Sequence, residues 1–187
     1  MRLGLVYLPS PELSVAFESF ALALTAHVQR RMVLGPEAQA HLSLLHVEAP
    51  LRNDGDAERL WTEAAQALPA QVRFDLLALG LLRYDTPYNA PPAPPATMAW
   101  LIAPCTQALR SAERAAVALP SFASLGCTTQ NADAFQPHFT IAMWEGYAAP
   151  TFEPPAFLPS TQHTGHLALG EVGPNGTYVR TLYSAPG

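Results

Sequence analysis

Two short segments, in separate halves of the chain, carry the residue types that acid–base chemistry needs: His41-Leu42-Ser43-Leu44 and His138-Phe139-Thr140-Ile141. Each reads histidine, apolar, hydroxyl, apolar, inside a stretch that predicts a β-strand. Side chains alternate faces along a strand, so each imidazole shares a face with its hydroxyl, and Leu42/Leu44 and Phe139/Ile141 take the other. Two such strands side by side present two imidazoles and two hydroxyls to one cleft. A neutral imidazole takes a proton from an attacking water or hydroxyl, and a protonated one gives a proton to the leaving oxygen. An unperturbed pKa of about 6.5 lets both forms exist near neutrality. The hydroxyls are suited to hydrogen-bonding the non-bridging oxygens of a phosphate ester, and this chemistry requires no metal. One such tetrapeptide arises often by chance; a pair in comparable positions of a duplicated pattern is much more specific.

The elements that must position these residues follow from hydrophobic pattern and punctuation. Leu3–Leu8 predicts a strand, and Ser10-Pro11-Glu12 starts a helix whose apolar positions run to about Arg31, before Gly35-Pro36. His41–Val47 is a strand and Asp54–Leu68 a helix, with Leu60, Trp61, Ala64 and Leu68 as its buried stripe. The apolar run Val72–Arg83 reads as one long strand, Met98–Ala103 as a strand and Thr106–Ala118 as a helix. His138–Trp144 is a strand, and Gly165–Val172, the turn Gly173–Gly176 and Thr177–Tyr183 form a hairpin. Proline keeps Thr86–Pro95 and Pro150–Pro159 out of any sheet, and Pro120–Pro137 is rich in loop. The order is α+β, with a rough internal duplication.

The two motifs resemble those of the two-histidine (2H) phosphoesterase superfamily, which includes the LigT-like RNA 2′,3′-cyclic phosphodiesterases, also called 2′-5′ RNA ligases. The correspondence falls on His41 and Ser43, and on His138 and Thr140. The segment Met98–Arg110, Pro137 before the second motif and the strand His166–Gly170 are similar to that family as well. Two departures stand out: Ser in the first motif, where Thr is commoner, and no Arg-rich segment of the kind many RNA-processing members carry between the motifs.

The resemblance implies an α+β, two-lobed, pseudo-symmetric LigT-like fold with antiparallel sheets around a central cleft. Residues 1–187 would form one such domain, without an independent linker. It implies His41 and His138 as the catalytic pair, Ser43 and Thr140 as the phosphate-binding hydroxyls, and neither metal nor cofactor. The expected activity is hydrolysis of nucleoside or RNA-terminal 2′,3′-cyclic phosphates to 2′-phosphates. Phosphodiesterase action on 2′-5′-linked or cyclic oligonucleotides or RNA 3′ ends is an alternative, as is a non-catalytic nucleotide- or RNA-binding module. Which histidine is acid and which base is open at this stage.

Composition narrows the partners. Of 187 residues, 49% are hydrophobic and 13% charged, which suits a folded protein rather than a disordered one. All basic residues are arginine, the formal net charge is −5, and Arg30-Arg31 is the one adjacent basic pair. A small nucleotide or an RNA terminus is therefore expected rather than an extended nucleic acid, which calls for a basic face. No apolar run reaches the roughly 20 residues of a membrane span. The opening MRLGLVYLPSPEL reads as the first strand of a cytoplasmic protein, and the composition is compatible with a monomer. Cys105 and Cys127 make no disulfide framework.

Other residues compete for a role. His46 lies five residues after His41, so a regular strand points it away from the cleft. Trp144, six after His138, shares that histidine's face in a regular strand, and it and Tyr7 are candidates for stacking on a base. Trp61 and Trp100 read as core. His27 is placed in the first helix, and His163 and His166 form an HxxH without a third ligand nearby. Arg52 and Arg180 read as surface residues.

Overall fold

The structure, a computed structural model, describes residues 2–48, 54–84, 95–124, 135–173 and 176–186. In chain order its elements are β1 (Arg2–Pro9), α1 (Pro11–Leu24), β2 (Arg30–Val33), β3 (Leu42–Glu48), α2 (Asp54–Ala67), β4 (Gln71–Leu76) and β5 (Ala78–Tyr84). There follow β6 (Ala96–Ile102), α3 (Gln107–Val117), α4 (Pro120–Ser124), β7 (His138–Glu145), β8 (Ser160–Val172) and β9 (Tyr178–Ser184). The strands form a mixed-order antiparallel sheet, β4-β8-β1-β3-β7-β6-β5, with β9 beside β8 and β2 beside β7.

The duplication is visible in the pairing. Strand β1 leads into α1 and pairs with β3; strand β6 leads into α3 and pairs with β7. Each helix starts on a hydroxyl cap: Ser10 Oγ accepts the Leu13 N–H at 3.3 Å, and Thr106 Oγ1 accepts that of Leu109 at 3.2 Å. Alternation along the strands separates the two faces of the sheet. Leu3, Leu5, Leu42, Phe139 and Leu167 join the apolar stripes of α1, α2 and α3 in the main core. The opposite face of β1 and β8 carries Val6, Ala168 and Val172, clustered with Tyr178 of β9, and that of β6 and β7 carries Ala96, Met98 and Met143, packed by Met32 and Trp100.

Several boundaries differ from the sequence expectation. The first helix stops at Leu24, where Thr25 donates its hydroxyl to Ala21 O at 2.7 Å, and Arg30 Nε then donates to Thr25 O at 3.1 Å. Arg30–Val33 is strand, and His27 lies in the exposed turn between them. Val72–Arg83 is two strands rather than one: Leu77, 54% exposed, ends the alternation of buried Val72, Phe74 and Leu76. Because β4 and β5 lie at opposite ends of the strand order yet flank Leu77, the sheet curls until its edges approach there. Strand β8 begins at Ser160, before the expected Gly165. Most of Thr86–Pro95 and the middle of Pro120–Pro137 lie outside the described residues.

The feature that matters most for the site is irregular. Strand β1 pairs Leu5 with Leu45 but Val6 with Ser43, so Leu44 is an extra residue in β3. Strand β6 pairs Ala99 with Ala142 but Trp100 with Thr140, so Ile141 is an extra residue in β7. A β-bulge thus follows the hydroxyl residue of each motif and reverses the alternation beyond it. Both bulges bury two consecutive residues, Leu44–Leu45 and Ile141–Ala142.

Between the site residues of β7, Phe139 anchors the strand. It is fully buried and touches Phe17 and Phe74, with ring centroids 5.2 and 5.1 Å away. Phe139→Ala is expected to cost about 3–5 kcal/mol, read as a lower urea midpoint at unchanged m-value.

Candidate active site

Strands β3 and β7 meet antiparallel with Leu42 opposite Phe139, both buried in the core. At such a crossing the next residues face across on the other side: His41 beside Thr140 and Ser43 beside His138, the two histidines on a diagonal of about 7–8 Å. His41, Thr140 and Gln39 line a small pocket together with Met32, Leu34, Ala38, Gly176 and Thr177. The pairing thus puts the four motif residues on one face of the sheet, and His41 and Thr140 line one pocket there.

The two imidazoles are held alike. His41 Nδ1 is 2.9 Å from the Gln39 carbonyl oxygen, and His138 Nδ1 is 2.7 Å from that of Gln136. A carbonyl only accepts, so each neutral ring carries its proton on Nδ1 and its lone pair on Nε2. Nε2 is then the basic nitrogen of both neutral rings. The same residue type stands two before each histidine, Gln39-Ala-His41 and Gln136-Pro-His138, a repeat that extends the duplication.

Burial sets the protonation. His41 is pushed down to about 4, chiefly by desolvation; the carbonyls of Gln39 and Gly176 oppose the shift and His138 adds to it. His138 is also lowered by desolvation, against the pull of the Gln136 carbonyl. The ring of Trp100 stacks on His138, with centroids 3.6 Å apart and planes at 18°. Tyr178 lies against His41 at 5.4 Å and covers Gly170, where a Cβ has no room.

The bulges correct two expectations, for His46 and Trp144. Beyond Leu44 the alternation is reversed, so His46 returns to the face of His41 and Ser43: its Nε2 is 3.0 Å from Ser43 Oγ, and its ring 6.0 Å from that of His41. Beyond Ile141, Trp144 turns into the core, fully buried, with Nε1 donating to Ala148 O at 2.9 Å. Tyr7 is on the core face too, its hydroxyl donating to Pro69 O at 3.0 Å. Neither ring is available to stack on a base. Trp100, expected in the core, is half-buried on the site face against His138. The signal for the first bulge was Ser43-Leu44-Leu45-His46, polar residues three apart in a strand whose period is two.

The remaining candidates stay apart. His163 Nε2 is 2.6 Å from Ser160 Oγ, and among the described residues no group of three or more metal-ligating side chains converges on the HxxH or elsewhere. Arg180 is exposed and paired with Glu171, and Cys105 is exposed. Arg52 and Cys127 lie outside the described residues.

Comparison with solved structures gives likenesses over nearly the whole chain. The Escherichia coli LigT structure complexed with 3′-AMP matches with a TM-score of 0.66 at 16% identity, covering 98% of this chain and 95% of that one. The chain has a LigT-like fold. The TT0787 protein of Thermus thermophilus matches with a TM-score of 0.62 at 22% identity, covering 99% and 97%. A structure described as a phosphoesterase matches at 0.58 and 17%, covering 98% and 96%. No protein-family model and no curated protein matches the sequence. The LigT-like fold is α+β with antiparallel pairing, as the resemblance implied, its strands joined in one sheet, and no helix among the described residues is long and apolar enough to cross a membrane.

The lowered histidines couple protonation to stability. The unfolded chain takes up protons near pH 6.5, before folded His41 does near 4. Stability present above pH 6.5 is therefore lost progressively between those values, by about 3 kcal/mol from His41 alone. Urea melts across this range, with histidine-selective NMR showing the Nδ1–H tautomer for His41 and His138 at pH 7, check both statements.

Proposed function

We propose that the chain is a metal-independent phosphodiesterase that opens 2′,3′-cyclic phosphates of nucleotides or RNA termini to 2′-phosphates. The observation that carries this reading is the matched pair of imidazoles: neighbours on adjoining strands, each held through Nδ1 by a backbone carbonyl, so that the neutral ring has its lone pair on Nε2. One Nε2 takes a proton from water as its oxygen attacks phosphorus. The bond from phosphorus to the 3′ oxygen breaks, and that oxygen takes the proton on the other Nε2. Ser43 and Thr140 donate to the non-bridging oxygens. That LigT is seen with 3′-AMP supports a ligand of nucleoside-phosphate size.

The surroundings sort the roles. An imidazolium over the face of Trp100 gains cation–π attraction, worth roughly 0.5–2 kcal/mol, whereas His41 is buried at 6% exposure beside Tyr178. His138 is thus the acid and His41 the base. Residues 1–187 act as a single unit, since both motif strands contribute to one site.

Hydrolysis of the four nucleoside 2′,3′-cyclic monophosphates in excess EDTA tests the reading. Wild type is expected to turn over to the 2′-phosphate, and His41→Ala and His138→Ala to lose about 10²–10⁴ in rate. Loss of activity on chelation, or full activity in both variants, overturns it.

The pH dependence is a separate expectation. With both histidines lowered, kcat/KM is bell-shaped with its optimum on the acid side of pH 6.5, and a bound phosphate anion moves the limbs of kcat upward. Trp100→Leu is expected to move the alkaline limb to lower pH, because it removes stabilisation of the imidazolium that must be charged.

A further inference from the structure

His46 is a third imidazole on the site face, and neither proton-transfer step uses it. It is half-buried, with Nε2 3.0 Å from Ser43 Oγ. Its place is built into the backbone. The bulge at Leu44 turns it toward the site, and Gly4 on β1 lies opposite, where a Cβ would come within 3.3 Å of His46 Cδ2. On the other side, a Cβ at Gly176 would lie 3.8 Å from Nδ1.

A serine hydroxyl has one proton and, unlike threonine, no methyl to restrict rotation about its Cα–Cβ bond. If His46 Nε2 accepts the hydroxyl proton, Ser43 offers only lone pairs to the cleft and repels a phosphate oxygen. If Nε2 carries the imidazole proton and donates it to Oγ, the hydroxyl proton is free to point at that oxygen. The second motif has no such arrangement. Thr140 Oγ1 meets Met98 Sδ at 4.0 Å, too long and too weak an acceptor to hold it, and its own methyl fixes the rotamer instead.

We infer that His46 is a positioning residue: as a neutral Nε2–H donor it clamps Ser43 so that the serine hydroxyl donates to a phosphoryl oxygen, doing for serine what the methyl group does for Thr140. Neutrality suits this role, and burial, reinforced by the charges of His41, Arg2 and His138, lowers His46 to about 3. The inference rests on the phosphate-binding reading of the site and adds a residue and a tautomer to it.

Four proteins decide it: wild type, His46→Phe, His46→Gln, and His46→Phe combined with Ser43→Thr. A lost hydrogen bond to a phosphate oxygen corresponds to roughly a 10-fold fall in kcat/KM for His46→Phe. His46→Gln, whose amide still donates, is expected to stay within about threefold of wild type, and Ser43→Thr to restore most of the loss in the double variant. A purely structural His46 gives no such rescue. His46→Phe within twofold of wild type, or a double variant as slow as His46→Phe alone, overturns the inference. Should wild type turn over no cyclic phosphate, the activity reading fails and inorganic phosphate decides the clamp. Weaker phosphate binding by His46→Phe, restored by Ser43→Thr, supports it, as does a His46 Nε2–H tautomer in wild type by ¹⁵N NMR with phosphate bound. An Nδ1–H tautomer with phosphate bound refutes it.

Discussion

The pairing of Leu42 with Phe139 is where the two halves of the sheet are joined, and the site exists because of what that pairing forces on the side chains. Both apolar residues turn into the core, where Phe139 meets aromatic rings from α1 and β4. Strict alternation then leaves no freedom: the residues before and after each must appear on the other face. Burial of two hydrophobic side chains thus brings two imidazoles and two hydroxyls together, and the apolar contribution to folding offsets the cost of confining four polar groups. A one-residue slip in this register would turn the imidazoles into the apolar core and Leu42 and Phe139 out of it, which is why the register is so strongly specified.

Those imidazoles are accommodated because they are neutral. Desolvating a charge is expensive, whereas a neutral imidazole with Nδ1 bonded to a carbonyl leaves little unsatisfied. Like charge close by acts in the same direction, as the lowering of His46 by His41 shows. The free site is therefore a set of dipoles rather than of cations. In the proposed reaction a phosphate ester brings the negative charge that draws a proton onto one ring, so the acid would be assembled with its ligand. The carbonyls of Gln39 and Gln136 help in that step, since each favours the charged ring.

The two motifs, the strands that hold them and both capped helices were legible because each is written in local pattern: a period of two, a hydroxyl before a helix, a glycine at a turn. What was not legible has a common cause. Leu44-Leu45 and Ile141-Ala142 are apolar at both positions, so an extra residue there leaves no break in hydrophobicity, and the faces of His46 and Trp144 came out reversed. In the same way Leu76-Leu77 hid the passage from β4 to β5, because no glycine or proline marks it. The placement of Trp100 against His138 is set by register across β6 and β7, a long-range fact that no single stretch of sequence carries.

The duplication is close in backbone and unequal in side chains, and the proposed division of acid and base rests on that inequality. Each half supplies a carbonyl-held histidine, a hydroxyl two residues on and a bulge after it. Around that common frame the first half places Ser43 with His46 behind it, and the second places Thr140 with Trp100 over its histidine. The proposed acid–base hydrolysis gains from such a difference. Two equivalent imidazoles would share a proton equally and spend half their time in the wrong arrangement, whereas an aromatic face on one side and deeper burial on the other bias where the proton sits. The same bulges that reverse the alternation after each motif bring His46 to the site and send Trp144 to the core, so a backbone irregularity repeated in both halves makes the halves chemically distinct.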